Sequence, residues 1–187
     1  ACIQMTSGAE IAPNIECSAQ LIRQAHGGGA QFVALPEVVN LCEMRPGRAA
    51  QKVHCEGTEP ALRAYRDLAA ELGIWILAGS LVVTLTDDRR LANRSFLIDA
   101  NGAIVAAYDK IHMFDVDLEG GESYRESSRF RPGARAVVAS SPGGAIGMTI
   151  CYDLRFAYLY RMLAQAGACI LTAPSSFARP TGRAHWH

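Results

Sequence analysis

The chain has 187 residues, half of them hydrophobic, with 18 acidic and 18 basic side chains and a formal net charge of zero. That length and apolar content suffice for one sizeable core, so residues 1–187 read as a single domain. The balanced charge, with no block of one sign, leaves no footprint for nucleic acid or an anionic membrane, and a small-molecule partner is the expectation. The apolar run IWILAGSLVVTL is too short for a membrane span, and ACIQMTSGAE lacks the basic and apolar regions of a signal peptide, which points to a cytoplasmic protein. Cysteines at 2, 17, 42, 55, 151 and 169 are spaced too irregularly for a stapled scaffold and form no CxxC pair. Reduced thiols and no metal site are therefore expected.

In chain order, ACIQM opens as a short strand, and Asn14 is positioned to cap a helix running to His26, with Ile15, Ala19 and Ile22 on one face and glycines 27 to 29 at its end. QFVALPE reads as a strand buried on both faces and closed by Pro36, which leaves Glu37 at its exit. Thr58 and Pro60 open a second helix carrying Leu62, Leu68, Ala69 and Leu72; Gly73 stops it before the strand-like IWILAGSLVV. SFLIDANGAIVAAYDK predicts a hairpin around Asn101-Gly102, and Lys110 lies where its second strand runs out. Residues 114–133 are polar and glycine-containing and read as a long loop, followed by strands at 136–139 and 145–150, a helix over 156–166 and a strand at 168–172. The order gives an α/β layer protein with a mixed sheet.

Glu37, Lys110 and Cys151 all fall at predicted strand ends, where side chains converge outside one edge of a sheet. A thiol near its reference pKa is mostly protonated at neutral pH, so Cys151 as a nucleophile needs a base, for which Glu37 is the candidate. Lys110 and the backbone N–H of Tyr152 suit the oxyanion of a tetrahedral intermediate.

LPEVVN at 35–40, YDKIHMFDV at 108–116 and GMTICYDLRF at 147–156, in that order, resemble the nitrilase or carbon–nitrogen hydrolase superfamily. The similarity continues through YRES at 124–127, LAQAGACILTAPSSF and TGRAHWH. KIHMFDV followed by ES and CYDLRF looks like the amidase branch that includes deaminated-glutathione amidase and omega-amidase. The resemblance implies Glu37 as general base, Lys110 as oxyanion stabiliser, Cys151 as nucleophile and Glu126 of YRES as a second glutamate that orients the site. It also implies an α-β-β-α sandwich with mixed sheets, no metal, no organic cofactor, and a homodimer or larger homo-oligomer. The function it implies is hydrolysis of a small carboxylic acid amide, such as deaminated glutathione or alpha-ketoglutaramate, through a thioester. The family domain normally continues past the HW motif, so the resemblance also implies that the C-terminal portion is missing here. Nitrilase or N-carbamoyl amino acid hydrolase activity is the alternative within the superfamily, and a binding or redox-sensing module is the alternative from another class.

HGGG at 26–29 is similar to a lipase oxyanion loop, but no GxSxG elbow accompanies it, and a helix end explains it. Arg155 suits either a substrate carboxylate or a neighbouring acid. Ser175 and Ser176 either line the pocket or serve an ordinary turn. Asp153 is expected to fix loop geometry, and Cys169, inside an apolar run, to pack.

Overall fold

The computed structural model describes residues 1–43, 45, 47–117, 121, 123–177 and 181–183. The N-terminal segment does not form a regular strand. It runs beside the first strand through a single bridge, Cys2 to Ala34, in which Ile3 N donates to Ala34 O at 2.8 Å. Helix α1 spans Ile11–Gly27 and begins a turn earlier than Asn14. Its Pro13 sits in the first turn, where the missing N–H has no helical acceptor in any case. Asn14 is buried and is not the cap: its Oδ1 accepts from Gly8 N at 2.8 Å, and its Nδ2 donates to the carbonyls of Gly8 and Asn40. A side chain committed to tertiary bonds cannot also cap.

Strand β1 (Phe32–Ala34) runs parallel to β2 (Trp75–Leu77). Between them lies α2 (Pro60–Leu72), capped by Glu59, whose Oε1 accepts from Ala61 N at 3.1 Å; Thr58 belongs to a preceding 3-10 turn instead. IWILAGSLVV is two strands, β2 and β3 (Leu81–Thr84), broken at Gly79. There φ is +37°, and a Cβ would stand 2.0 Å from Pro36 O and 2.2 Å from Leu35 O. Only glycine lets the chain pass so close to the exit of β1. Strand β4 (Leu91–Ile98) then pairs antiparallel with β3 and β2 along one edge and with β5 (Ile104–Asp109) along the other. In the turn between β4 and β5, Gly102 has φ +78° while Asn101 keeps an ordinary negative angle. Asp99 Oδ1 accepts from the N–H groups of Asn101 and Ala103 and secures the turn.

The stretch 114–133 is not all loop. It contains a hairpin of β6 (Asp115–Asp117) and β7 (Ser123–Arg125) and a 3-10 turn, Glu126–Ser128. A second sheet follows: β8 (Val137–Ser141), antiparallel to β9 (Gly144–Met148), which pairs in parallel with β10 (Ile170–Thr172). Helix α3 (Ala157–Gln165) returns the chain over β9. At Gly147 an added Cβ would lie 3.1 Å from that of Leu163, so the helix rests directly on the strand backbone.

Burial explains the layering. Ile22 of α1 and Leu62, Tyr65 and Leu68 of α2 form one core with Ile76, Phe96 and Ile98 on the outer face of the first sheet. Leu77 and Leu97, pointing the opposite way from their neighbours, meet Tyr108, Ile146, Met148 and Ile150 in a second core between the sheets. Each such side chain, fully buried, contributes roughly 1.5–3 kcal/mol. The result is the α-β-β-α sandwich, with mixed pairing in both sheets. Cys169 is exposed rather than packed in a core: it leads into β10, an edge strand whose Ile170 and Leu171 are exposed as well. Among the described residues no helix is long and apolar enough to cross a membrane.

Candidate active site

The three strand-end residues meet. Glu37 leaves β1 through a turn whose next residue, Val38, has φ +47°, a left-handed angle that a β-branched side chain rarely takes. Ser80, just past the Gly79 break, holds this turn: Val38 N donates to its Oγ at 2.9 Å, Val39 N to its carbonyl at 3.0 Å, and Ser80 N donates back to Pro36 O at 3.2 Å. Lys110 follows β5, with its N–H on Asn93 O and its carbonyl accepting from Gly133 N. Both residues are buried, at 6% and 2% exposure.

The Lys110 ammonium lies 3.0 Å from Glu37 Oε1 and 3.0 and 2.9 Å from the two oxygens of Glu126. Its three protons thus face two carboxylates. Burial works against the charged amine, but Glu37 and Glu126 outweigh it and hold the Lys110 pKa above the ordinary lysine value. Glu126 is fixed from its other side by Phe114 N, which donates to Oε2 at 2.6 Å. Glu37 receives two further bonds, from Asn93 Nδ2 at 3.0 Å and from Ser176 N at 2.8 Å.

Cys151 opens a 3-10 turn, Cys151–Arg155, immediately beyond the buried run ending at Ile150. Its φ of +48° makes it, with Val38, one of two non-glycine residues at positive φ among the described residues. A residue on a sharp strand-to-helix turn projects its side chain into the space above the sheet. Burial, and then the neighbouring Glu37 charge, push the Cys151 thiol up to about 12, with Lys110 opposing. The resting sulfur therefore carries its proton at neutral pH. Tyr152 is the second residue of this turn, a position whose N–H the turn itself does not satisfy.

A chain of rings flanks the site: Phe114 meets Tyr124 and Tyr152 edgewise or tilted, Tyr152 meets Phe156, and Phe156 stacks on His112 at 3.6 Å. A cleft of about 1390 Å³ between residues 1–7, β1 and residues 170–177 is lined by Glu37, Ser175 and Ser176 but by neither Lys110 nor Cys151. It meets the site at its carboxylate end. Ser175 turns its hydroxyl onto Ala173 O at 2.9 Å, as turn chemistry requires, and Ser176 reaches the site through its backbone N–H. Arg155 is exposed at the end of the 3-10 turn. Among the described residues no cluster of three or more His, Cys, Asp or Glu side chains is arranged to hold a metal ion.

Asn93 is the residue that sequence reasoning missed. It lies in the interior of β4, 2% exposed, where asparagine is a poor strand former, and that mismatch is the available signal. Its Nδ2 must face Glu37, since the reverse orientation would set oxygen against oxygen. Its Oδ1 is buried without a hydrogen-bond partner among the described residues.

A sandwich of two mixed sheets with this group of side chains at its strand ends defines the nitrilase-like fold class. The NitFhit protein of C. elegans matches it with a TM-score of 0.86 at 30% identity, over 99% of this chain and 45% of that one. The chain belongs to the carbon–nitrogen hydrolase family, whose model matches residues 1–187. It is 37% identical to the deaminated glutathione amidase of Yersinia enterocolitica over all of its own length and 65% of that protein. It is 32% identical to human omega-amidase, again over its whole length and 66% of the relative. The chain thus spans about two thirds of these curated relatives.

Proposed function

We propose that the protein is a cysteine-dependent amidase that hydrolyses a primary amide of a small carboxylic acid through a thioester. The observation that carries this reading is the contact of one ammonium, Lys110, with two carboxylates, Glu37 and Glu126, in a buried site where Glu37 and Lys110 both act on the Cys151 thiol. Kinship with amidases named for deaminated glutathione and for omega-amides supports the substrate class.

Because the thiol is protonated at rest, attack and deprotonation are coupled: Glu37 takes the proton as sulfur bonds to the amide carbon. The negative charge moves from Glu37 to the former carbonyl oxygen, and the charge of the buried site is unchanged. Lys110, held as an ammonium by its two acids, cannot serve as the base; it stabilises the oxyanion together with Tyr152 N–H. Collapse expels ammonia, which takes its proton from Glu37, and leaves Cys151 acylated. The regenerated carboxylate then draws a proton from water, whose oxygen attacks the thioester, and the acid departs as the proton returns to sulfur. Glu126 touches no reacting atom in this scheme; it keeps Lys110 charged and aimed.

Ammonia release from deaminated glutathione and alpha-ketoglutaramate, followed for the full chain and for Cys151→Ala, tests the proposal. The variant is expected to lose about a thousandfold or more in turnover, and mass spectrometry of the unmodified protein should find the acyl mass on Cys151. Equal turnover by both proteins would end it.

A further inference from the structure

Asp153 is fully buried two residues after the thiol, and among the described residues no lysine or arginine pairs with it. Its carboxylate instead accepts four hydrogen bonds. Oδ2 takes Tyr108 Oη at 2.7 Å and Ile150 N at 2.8 Å; Oδ1 takes His112 N at 3.0 Å and His112 Nδ1 at 2.7 Å. An ionised carboxylate has about four acceptor sites, so this one is filled by donors alone. The imidazole must then carry its proton on Nδ1.

What these donors belong to gives the arrangement its meaning. Ile150 precedes Cys151, so that bond fastens the turn bearing the sulfur. Tyr108 and His112 stand two residues before and two residues after Lys110, so the other three bonds fasten the segment bearing the ammonium. A second tie runs parallel: Phe156 N donates to Asp153 O at 2.9 Å, and the Phe156 ring stacks on His112 at an interplanar angle of 10°. Cys151 comes from the second sheet's end and Lys110 from the first, and packing between two sheets alone would leave their separation to many soft contacts.

We propose that Asp153 is a positioning residue that sets Cys151 against Lys110, with its carboxylate joining the two segments and His112 Nδ1–H as an essential donor in the joint. This rests on the thiol amidase reading above. The side chain does not touch the reacting atoms; it acts through where the nucleophile and the ammonium stand when the tetrahedral intermediate forms. A displacement of about 1 Å at a reacting group costs on the order of a hundredfold in rate.

The test uses the full chain and its variants Asp153→Asn, His112→Ala and His112→Asn, with ammonia release and the rate of Cys151 acylation followed by mass spectrometry. Asp153→Asn keeps the volume but sets an NH₂ against two of the four donors, so the acylation rate and kcat should fall about a hundredfold while KM stays within about threefold. His112→Ala should show the same split. His112→Asn, whose amide nitrogen can occupy the place of Nδ1, should recover activity to within about fivefold of the parent. Circular dichroism and melting establish that each variant is folded. Wild-type acylation in folded Asp153→Asn, or equal losses in the two His112 variants, would overturn the proposal, and the His112 pair decides it should Asp153→Asn fail to fold. Failure of the underlying reading looks different: there Cys151→Ala would itself turn over.

Discussion

Two ion pairs of similar length behave oppositely in this molecule. Arg23 and Glu71 form a two-pronged pair at 2.6 Å between α1 and α2, with side chains 49% and 54% exposed. Lys110 and Glu37 meet at 3.0 Å with side chains 3% and 6% exposed. In the first, water competes with both partners and replaces either when it is lost; in the second, nothing does. Bond length therefore says little about what a pair contributes, whereas burial decides what remains after one partner is removed.

The comparison breaks most sharply at Lys110. Replacing it with Met leaves two buried carboxylates facing each other, at a cost of about 3–5 kcal/mol measured by chemical denaturation, with amidase activity lost. One of the acids then holds its proton in the folded state above the pKa it has unfolded. Its stability contribution is present at low pH and is lost as pH rises, so the Lys110→Met penalty should be smaller at pH 5 than at pH 8. An intermediate effect is expected at Asn93. Asn93→Ala removes one of the three donors on Glu37 and should cost about 1–2 kcal/mol together with roughly tenfold in kcat; an unchanged kcat would show that Lys110 and Ser176 N alone hold Glu37 in place. The smallest effect belongs to Arg23→Ala, whose melting temperature and turnover should match the parent within error.

The strand-end positions of Glu37, Lys110 and Cys151 were legible because apolar runs stop abruptly beside them. Glu126 was not legible from local pattern: on the chain it is an ordinary acid in a polar stretch, and only its resemblance to a family motif singled it out. The β6–β7 hairpin escaped for a related reason, since its strands DVD and SYR alternate exposed and half-buried residues and carry little apolar signal. Asn93 was missed because β4 begins at Leu91, four residues before the apolar run suggests. The break in IWILAGSLVV shows the converse case. Hydrophobicity continues through it, and only Gly79 marks where the chain must pass under the Glu37 turn. Helix starts differ from expectation at Asn14, whose side chain is committed to Gly8 and Asn40, and at Thr58, which a local 3-10 turn and its bond to Cys55 take up, because in a one-dimensional pattern such residues look the same as caps.

The proton on the Cys151 sulfur has a consequence for chemoselectivity. Cys55 is exposed, and the Thr58 hydroxyl bonded to it lowers its pKa from the ordinary thiol value, whereas burial drives that of Cys151 the other way. Soluble alkylating reagents and peroxide select thiolates. They therefore find a larger thiolate fraction at exposed Cys55 than at half-buried Cys151, whose sulfur, on the proposed mechanism, gives up its proton to Glu37 only when a molecule shaped to enter the site arrives.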